Sequence, residues 1–167
     1  ISGMIDFNEL SRIAPDVAGP IGERFAASGL GMLGTVRSNG APRVSPIEVG
    51  PYEGGLFVGM MPGSQKHLDI TRDPRCCLVT AIADRHDLGG EGKLFGVLDL
   101  LTDPVRSGAI LRHHAEANGF DAEELSGSPM FEVLVDRAAW QRVVDDAWTT
   151  LSWRFGVDGV RRRSRTN

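Results

Sequence analysis

Cysteine is scarce in this chain of 167 residues, and the only two are neighbours, Cys76 and Cys77. Adjacent residues on a strand point to opposite faces, so neither a mutual disulfide nor a shared metal suits them, and buried thiols are expected. No Cys-x-x-Cys pair occurs, and His113-His114 lack the companion spacing of a ligand set, so no metal site is expected. No apolar run is long enough to cross a bilayer as a helix, and no signal-peptide pattern appears, which points to the cytoplasm. Also missing are a Gly-x-Gly-x-x-Gly following a strand, a P-loop, a Gly-x-Ser-x-Gly elbow and a Ser-His-Asp order, so dinucleotide, nucleotide-triphosphate and hydrolase chemistry gain no support. The net charge of −4 speaks against nonspecific nucleic-acid binding. One local exception is Arg161-Arg162-Arg163-Ser164-Arg165, which reads as a frayed, solvated terminus.

What is present fits one soluble globular domain over 1–167, with a large enough core to stand alone. Ile1-Ser2-Gly3 ahead of Met4 reads as a scar before a natural start. Helices are expected over 5–13 and 16–27, the second with Val17, Ile21 and Phe25 at four-residue steps. Strands are expected over 30–36, 43–49, 56–60, 75–83, 93–101, 130–135 and 140–144, with a further one at 148–153. Helices are also expected over 64–72 and 104–118, with one more helical turn over 121–125. Ser38-Asn39-Gly40 predicts a type I′ hairpin turn, Pro51–Gly55 another turn, and 84–92 a polar loop. Pro46 cannot donate to a ladder and should mark an edge or a bulge. The fold class is α+β and mostly β: six to eight antiparallel strands in a closed or split barrel with peripheral helices. Residues 4–28 form the leading helices, 29–155 the barrel and 156–167 a basic tail.

The stretch from Gly31 to Arg72 carries the chemistry. Arg43 and Ser45 share one face of the second strand. Gly63-Ser64-Gln65-Lys66 puts a lysine in a first helical turn, where the macrodipole favours negative charge. A phosphate between that helix start, Lys66 and Arg43 would reconcile the placement. The plain alternative pairs Arg43 with a carboxylate and leaves Ser64 as an N-cap. Gly59 and Gly63 would let a planar ring and a phosphate approach the backbone. Glu48 faces ligand or solvent. Trp140, Trp148 and Trp153 stack on a planar cofactor or pack in a core. Asp145-Asp146 reads as a solvated turn, and His67 as a surface residue.

The runs LGTVRSNGAPRVSPIEV and LFVGMMPGSQKHLDITRDPRCCLVT resemble the FMN-binding split-barrel family of pyridoxamine 5′-phosphate oxidase-like proteins, over roughly residues 30–102. The leading helices and the EGKLFG strand are most similar to an actinobacterial branch of flavin and deazaflavin oxidoreductases. The resemblance implies a homodimer with cofactor sites between subunits, a small-molecule substrate and hydride transfer through the flavin, with NAD(P)H as a candidate reductant. Neither a nucleic-acid nor a membrane partner is implied. Arg43, Val44, Ser45, Pro46, Ile47 and Glu48 match the family strand along the flavin, and Val58 and Gly59 the backbone beside the ring. Ser64, Gln65 and Lys66 match its phosphate-holding Ser-Arg-Lys, with Gln65 standing where arginine is usual. That departure leaves room for the deazaflavin coenzyme F-420 in place of FMN. Glu91 stands near a flavin-contacting glutamine of the true oxidase, whose C-terminal Arg-x-His motif is missing here, so that enzyme's own activity is not expected. Trp153 and Arg154 are carried over as residues reaching the partner's cofactor. A noncatalytic module binding flavin or haem is the rival of another class.

Overall fold

A computed structural model of the chain describes residues 1–82, 86 and 89–166. The elements run α1 (Phe7–Ile13), α2 (Pro15–Ser28), β1 (Leu30–Val36), β2 (Pro42–Glu48), β3 (Gly50–Tyr52), β4 (Gly55–Gly59) and α3 (Gln65–Arg72). They continue with β5 (Arg75–Thr80), β6 (Glu91–Leu100), α4 (Pro104–Asn118), β7 (Met130–Val144), β8 (Ala147–Arg154) and β9 (Arg161–Thr166). The strand expected over 75–83 stops at Thr80, and 91–92 of the polar loop expected over 84–92 already belong to β6; residues 83–85 and 87–88 lie outside the described residues.

Local chemistry explains the helices. The Asp6 side chain caps α1 by accepting from the Glu9 amide at 2.8 Å, and Asp103 caps α4 through the Val105 amide at 2.9 Å. In α2 the four-residue stripe of Val17, Ile21 and Phe25 is fully buried. Burying each such side chain stabilises the fold by about 1.5–3 kcal/mol. The helix closes on Gly29, whose φ of 63° is the left-handed cap a glycine accepts at no steric cost.

The strands form one antiparallel sheet in the order β2-β1-β5-β6-β7-β4-β3, with β8 on the second half of β7 and β9 on β8. The sheet curls so that β2 comes beside β4, yet no ladder joins them, and the barrel stays split. Pro46 lies on β2, one edge of this sheet, as its missing donor requires. The core fills the inner side, where Leu33, Leu78, Leu94, Val135 and Trp140 pack with α2.

Five local expectations need correcting. The strands expected over 130–135 and 140–144 are one strand of 15 residues, which β6 pairs along most of its length. A bulge holds it together: Phe95 pairs Arg137 and Gly96 pairs Val135, leaving Asp136 as the extra residue. Residues 121–125 make hydrogen-bonded turns and no helix. The hairpin at Asn39-Gly40 is not type I′, since only Gly40 has positive φ and its amide donates to the Arg37 carbonyl. That is a type I turn followed by a left-handed glycine. The basic tail is not frayed: Arg161–Thr166 pairs with β8 over six residues. A third strand of only three residues, β3, takes part of the expected turn at 51–55.

The type I′ turn sits elsewhere. Asp145 and Asp146 both have positive φ, 49° and 58°, between paired Val144 and Ala147. Left-handed backbone costs a non-glycine residue about 1 kcal/mol or more. Asp146→Gly is therefore expected to raise stability by about 1 kcal/mol, read as a Tm rise of about 2–4 °C in calorimetry.

Candidate functional site

The β1–β2 register sets which side chains meet. Thr35 pairs Arg43, Leu33 pairs Ser45 and Gly31 pairs Ile47. Thr35 and Leu33 are buried, so Arg43, Ser45 and Ile47 face inward, towards α3 and the core. Val44, Pro46 and Glu48 face the other side of the sheet.

Helix α3 lies against this inner face, and its start is built as the sequence suggests. Ser64 is the N-cap, its hydroxyl accepting from the His67 amide at 3.4 Å. The Lys66 ammonium donates to the Pro46 carbonyl at 2.9 Å, tying the first helical turn to β2. His67 accepts from the Gly63 amide at 3.0 Å through Nδ1.

Arg43 takes the plain reading at first sight, with a twist. Its Nε donates to Asp69 at 2.7 Å, and Thr35 donates to the same oxygen at 2.9 Å. Asp69 is buried, at 4% exposure, and its other oxygen lies 3.5 Å from Arg72. The Arg43 guanidinium holds the Asp69 carboxyl below the usual carboxylate range; burial opposes this, while the Thr35 hydroxyl and the Arg72 charge reinforce it. Asp73, gripped by Arg75, is lowered to about 2.

These shifts have a definite sign. A carboxylate lowered in the folded state adds stability above its unfolded pKa and loses it as pH falls through the folded value. Stability should therefore hold above pH ~4 and decline towards pH 2. Asp69→Asn should be less stable than the parent at pH 7 in urea unfolding, with the gap closing under acid. A constant gap across that range would mean that Asp69 is not held ionised.

Arg43 and Gln65 line a basin of about 220 Å³ between the β1–β2 hairpin and α3, together with Arg37, Asp69 and Arg72. Three guanidinia against one carboxylate leave the lining with a net charge of +2. The Arg72 guanidinium also bonds the Val36 carbonyl, which fixes it at the rim. The sequence reading gives neither Arg37 nor Arg72 a site role. Arg37 precedes a turn, and Arg72 ends a short helix, where a cation also suits the dipole. Asp69 has the weakest signal, because an acidic residue on a polar helix is ordinarily solvated.

The other expected residues scatter. Val58 is buried in the core, and half-buried Gly59 pairs Met130, whose sulfur would stand 3.0 Å from an added Cβ. Glu48 is drawn to α4, where buried His114 holds its carboxylate at 3.2 Å. Trp153 is 6% exposed and packs in the core beside Ala138, while Arg154 is exposed on the opposite face. Both sit on β8, separated from β2 by β1, β5, β6 and β7, so one chain does not bring them to the basin. Trp140 is core, and Trp148 is 43% exposed. Glu91 accepts from Lys93 at 2.6 Å. Burial pushes the Cys76 thiol up to about 12 and raises Cys77, which leaves neither a ready nucleophile. Among the described residues no group of three His, Cys, Asp or Glu could hold a metal, and no helix is long and apolar enough to cross a membrane.

No protein-family model matches the chain, and no curated protein matches it either. Solved structures do. PhzG from Burkholderia lata, in complex with tetrahydrophenazine-1-carboxylic acid, aligns with a TM-score of 0.65 at 12% identity, covering 95% of this chain and 96% of that one. A protein of the pyridoxine-phosphate oxidase family from Clostridium acetobutylicum aligns at 0.61 and 12% identity, covering 80% and 90%. The haem-storage protein HutZ from Vibrio cholerae aligns at 0.59 and 16% identity, covering 87% and 96%. The chain folds as a split barrel of the pyridoxamine-phosphate-oxidase type. At such identities the likeness concerns the backbone path alone. The split barrel in hand adds to that path a basic basin beside an edge strand, and a pyridoxine-phosphate oxidase family protein and a haem-storage protein share the same frame.

Proposed function

We propose that this split barrel is a dimeric oxidoreductase that binds FMN, with the cofactor phosphate in the basin between the β1–β2 hairpin and α3. The observation that carries the reading is the net charge of +2 on the lining, assembled from Arg37, Arg43 and Arg72 although Asp69 offsets one of them. Lys66 adds a further positive charge at the adjacent helix start, where the dipole itself also attracts an anion. The residues present therefore fit a phosphate. Ser64 caps the same turn, and Gln65 supplies a neutral amide at the basin wall.

Dimerisation is supported by the outer sheet face. Leu30, Met32 and Val44 are exposed there on adjacent strands, at 48%, 37% and 66%. Such a contiguous apolar strip on a folded surface marks a contact site. A second copy laid on this face would cover it and bring its own side chains towards Pro46 and Glu48. Bound flavin would supply hydride transfer at N5 of its ring; the chain's own groups bind, orient and shield it.

The deazaflavin reading rests on Gln65, which lines the basin where a further arginine would favour FMN. Among the described residues lining the basin there is no histidine to serve the haem reading that the likeness to the Vibrio protein raises. His67, His113 and His114 each already hold a partner within the chain.

Titration of the apo-protein with FMN, the deazaflavin and haemin, each followed by fluorescence or absorbance, separates the three. Saturation by FMN at one per subunit, followed by reduction with NAD(P)H, is the expected result. Saturation by the deazaflavin alone would move the assignment to that cofactor, and binding of haemin alone would remove the enzyme reading.

A further inference from the structure

A groove separate from the basin lies between α4 and the hydrogen-bonded turns that lead from that helix into β7. We propose that it binds a short peptide with free termini, holding the carboxylate at Arg112 and the ammonium at Glu123. Its volume is about 720 Å³, within the range of small-molecule pockets. The groove shares no lining residue with the basin, and none of the residues expected at the cofactor lines it.

The two walls come from neighbouring stretches of chain. Pro104, Ser107, Gly108, Leu111 and Arg112 recur at helical spacing along one face of α4. Facing them, the turns are fixed by their own backbone. The Phe120 amide donates to the Ala115 carbonyl at 2.9 Å, the Ser126 amide to the Glu123 carbonyl at 3.1 Å and the Ser128 amide to the Leu125 carbonyl at 3.0 Å. The space between stays open because Gly108, Ala122 and the serines are too small to fill it.

The charges across this space are of opposite sign and do not pair. A helical side chain leans towards the helix N-terminus, and that of Arg112 reaches back over Gly108. Its Nη1 would stand 3.4 Å from a Cβ added at Gly108. Glu123 stands on the other wall. Among the described residues neither side chain has a hydrogen-bond or ion-pair partner within the chain. A dianion would meet Glu123 and a polyamine would meet Arg112, so a ligand with one charge of each sign fits best. The Ser107, Ser126 and Ser128 hydroxyls are likewise without partners among the described residues. Each can donate and accept, as the amides of a peptide require. Pro104, Leu111 and Ala122 add an apolar lining that suits small neutral side chains. The site does not depend on the cofactor reading.

Isothermal calorimetry on the full chain at low salt tests it, with trialanine, N-acetyl-trialanine and trialanine amide as probes. Trialanine should bind at one equivalent, and loss of either terminal charge should weaken it by roughly fivefold or more. Arg112→Gln should abolish the preference for the carboxylate over the amide, and Glu123→Gln the preference for the free over the acetylated amine. Gly108→Leu replaces a helix-interior glycine with a better helix former and fills the groove, so Tm should not fall while binding is lost. Lys66→Glu, which disables the basin beside α3, should leave trialanine binding intact, so the two sites fail separately. Absence of trialanine binding would overturn the proposal. So would equal affinities for the three peptides, or unchanged binding to a folded Gly108→Leu variant.

Discussion

Gly96→Ala should destabilise the protein by more than about 3 kcal/mol, the largest effect expected of any single substitution in the sheet. A Cβ at Gly96 would stand 1.9 Å from the Leu134 carbonyl oxygen and 2.8 Å from the Val135 Cα. Both neighbours are backbone, so no rotamer change relieves the clash. The strands must separate at the bulge that leaves Asp136 unpaired, in the longest ladder of the barrel. At this chain length the loss corresponds to a Tm lower by about 6–12 °C. Calorimetry of the variant checks it, and a Tm within a degree of the parent would show that the bulge is not built as described. Gly40→Ala is the useful contrast, because nothing lies within 4 Å of an added Cβ and only its positive φ of 82° is strained. Its cost should be about 1 kcal/mol.

Lys66→Glu should separate binding from stability. Losing the bond from Lys66 to the Pro46 carbonyl costs little at an exposed position, about 0.5–1 kcal/mol. A carboxylate in the first turn of α3 gains a similar amount from the helix dipole. Net stability should therefore stay within about 1 kcal/mol of the parent in urea unfolding. FMN affinity should fall by about 30-fold or more, because a cation near the phosphate is replaced by an anion. A variant that loses stability and affinity together would assign Lys66 a structural role. One that binds FMN unchanged would remove Lys66 from the phosphate site.

Much of the frame was legible from pattern alone. The α2 stripe, the Ser64 cap, the edge position of Pro46 and the run of antiparallel strands all follow from side-chain periodicity and capping chemistry. Features decided by long-range pairing were not. Arg161–Thr166 has the composition of a solvated tail, and it becomes a strand because β8 offers a free edge to pair with. Residues 136–139 look like a break between strands, yet the bulge opposite Gly96 carries β7 through them.

The site divides in the same way. Ser64 caps α3, Lys66 bonds the Pro46 carbonyl and Arg43 bonds Asp69, and of the residues expected around a phosphate only Arg43 and Gln65 line the basin. Asp69 could not be found in the sequence, since only the fold puts it under Arg43 and Thr35 in a buried position. Its presence changes the account of Arg43, which shares the Asp69 carboxylate with Arg72 and is not a lone phosphate clamp. Trp153 shows the reverse case. Its face of β8 is fixed by pairing with Ala138 on β7, and that face is the core.

The central claim is that the basin between β2 and α3 holds the phosphate of a flavin. Comparing the affinities of FMN and riboflavin for the same apo-protein tests it most directly, because the two ligands differ only in that phosphate. The account predicts that FMN binds at least about tenfold more tightly at low ionic strength, with the advantage shrinking as salt screens the basin. Equal affinities at every salt concentration would contradict it.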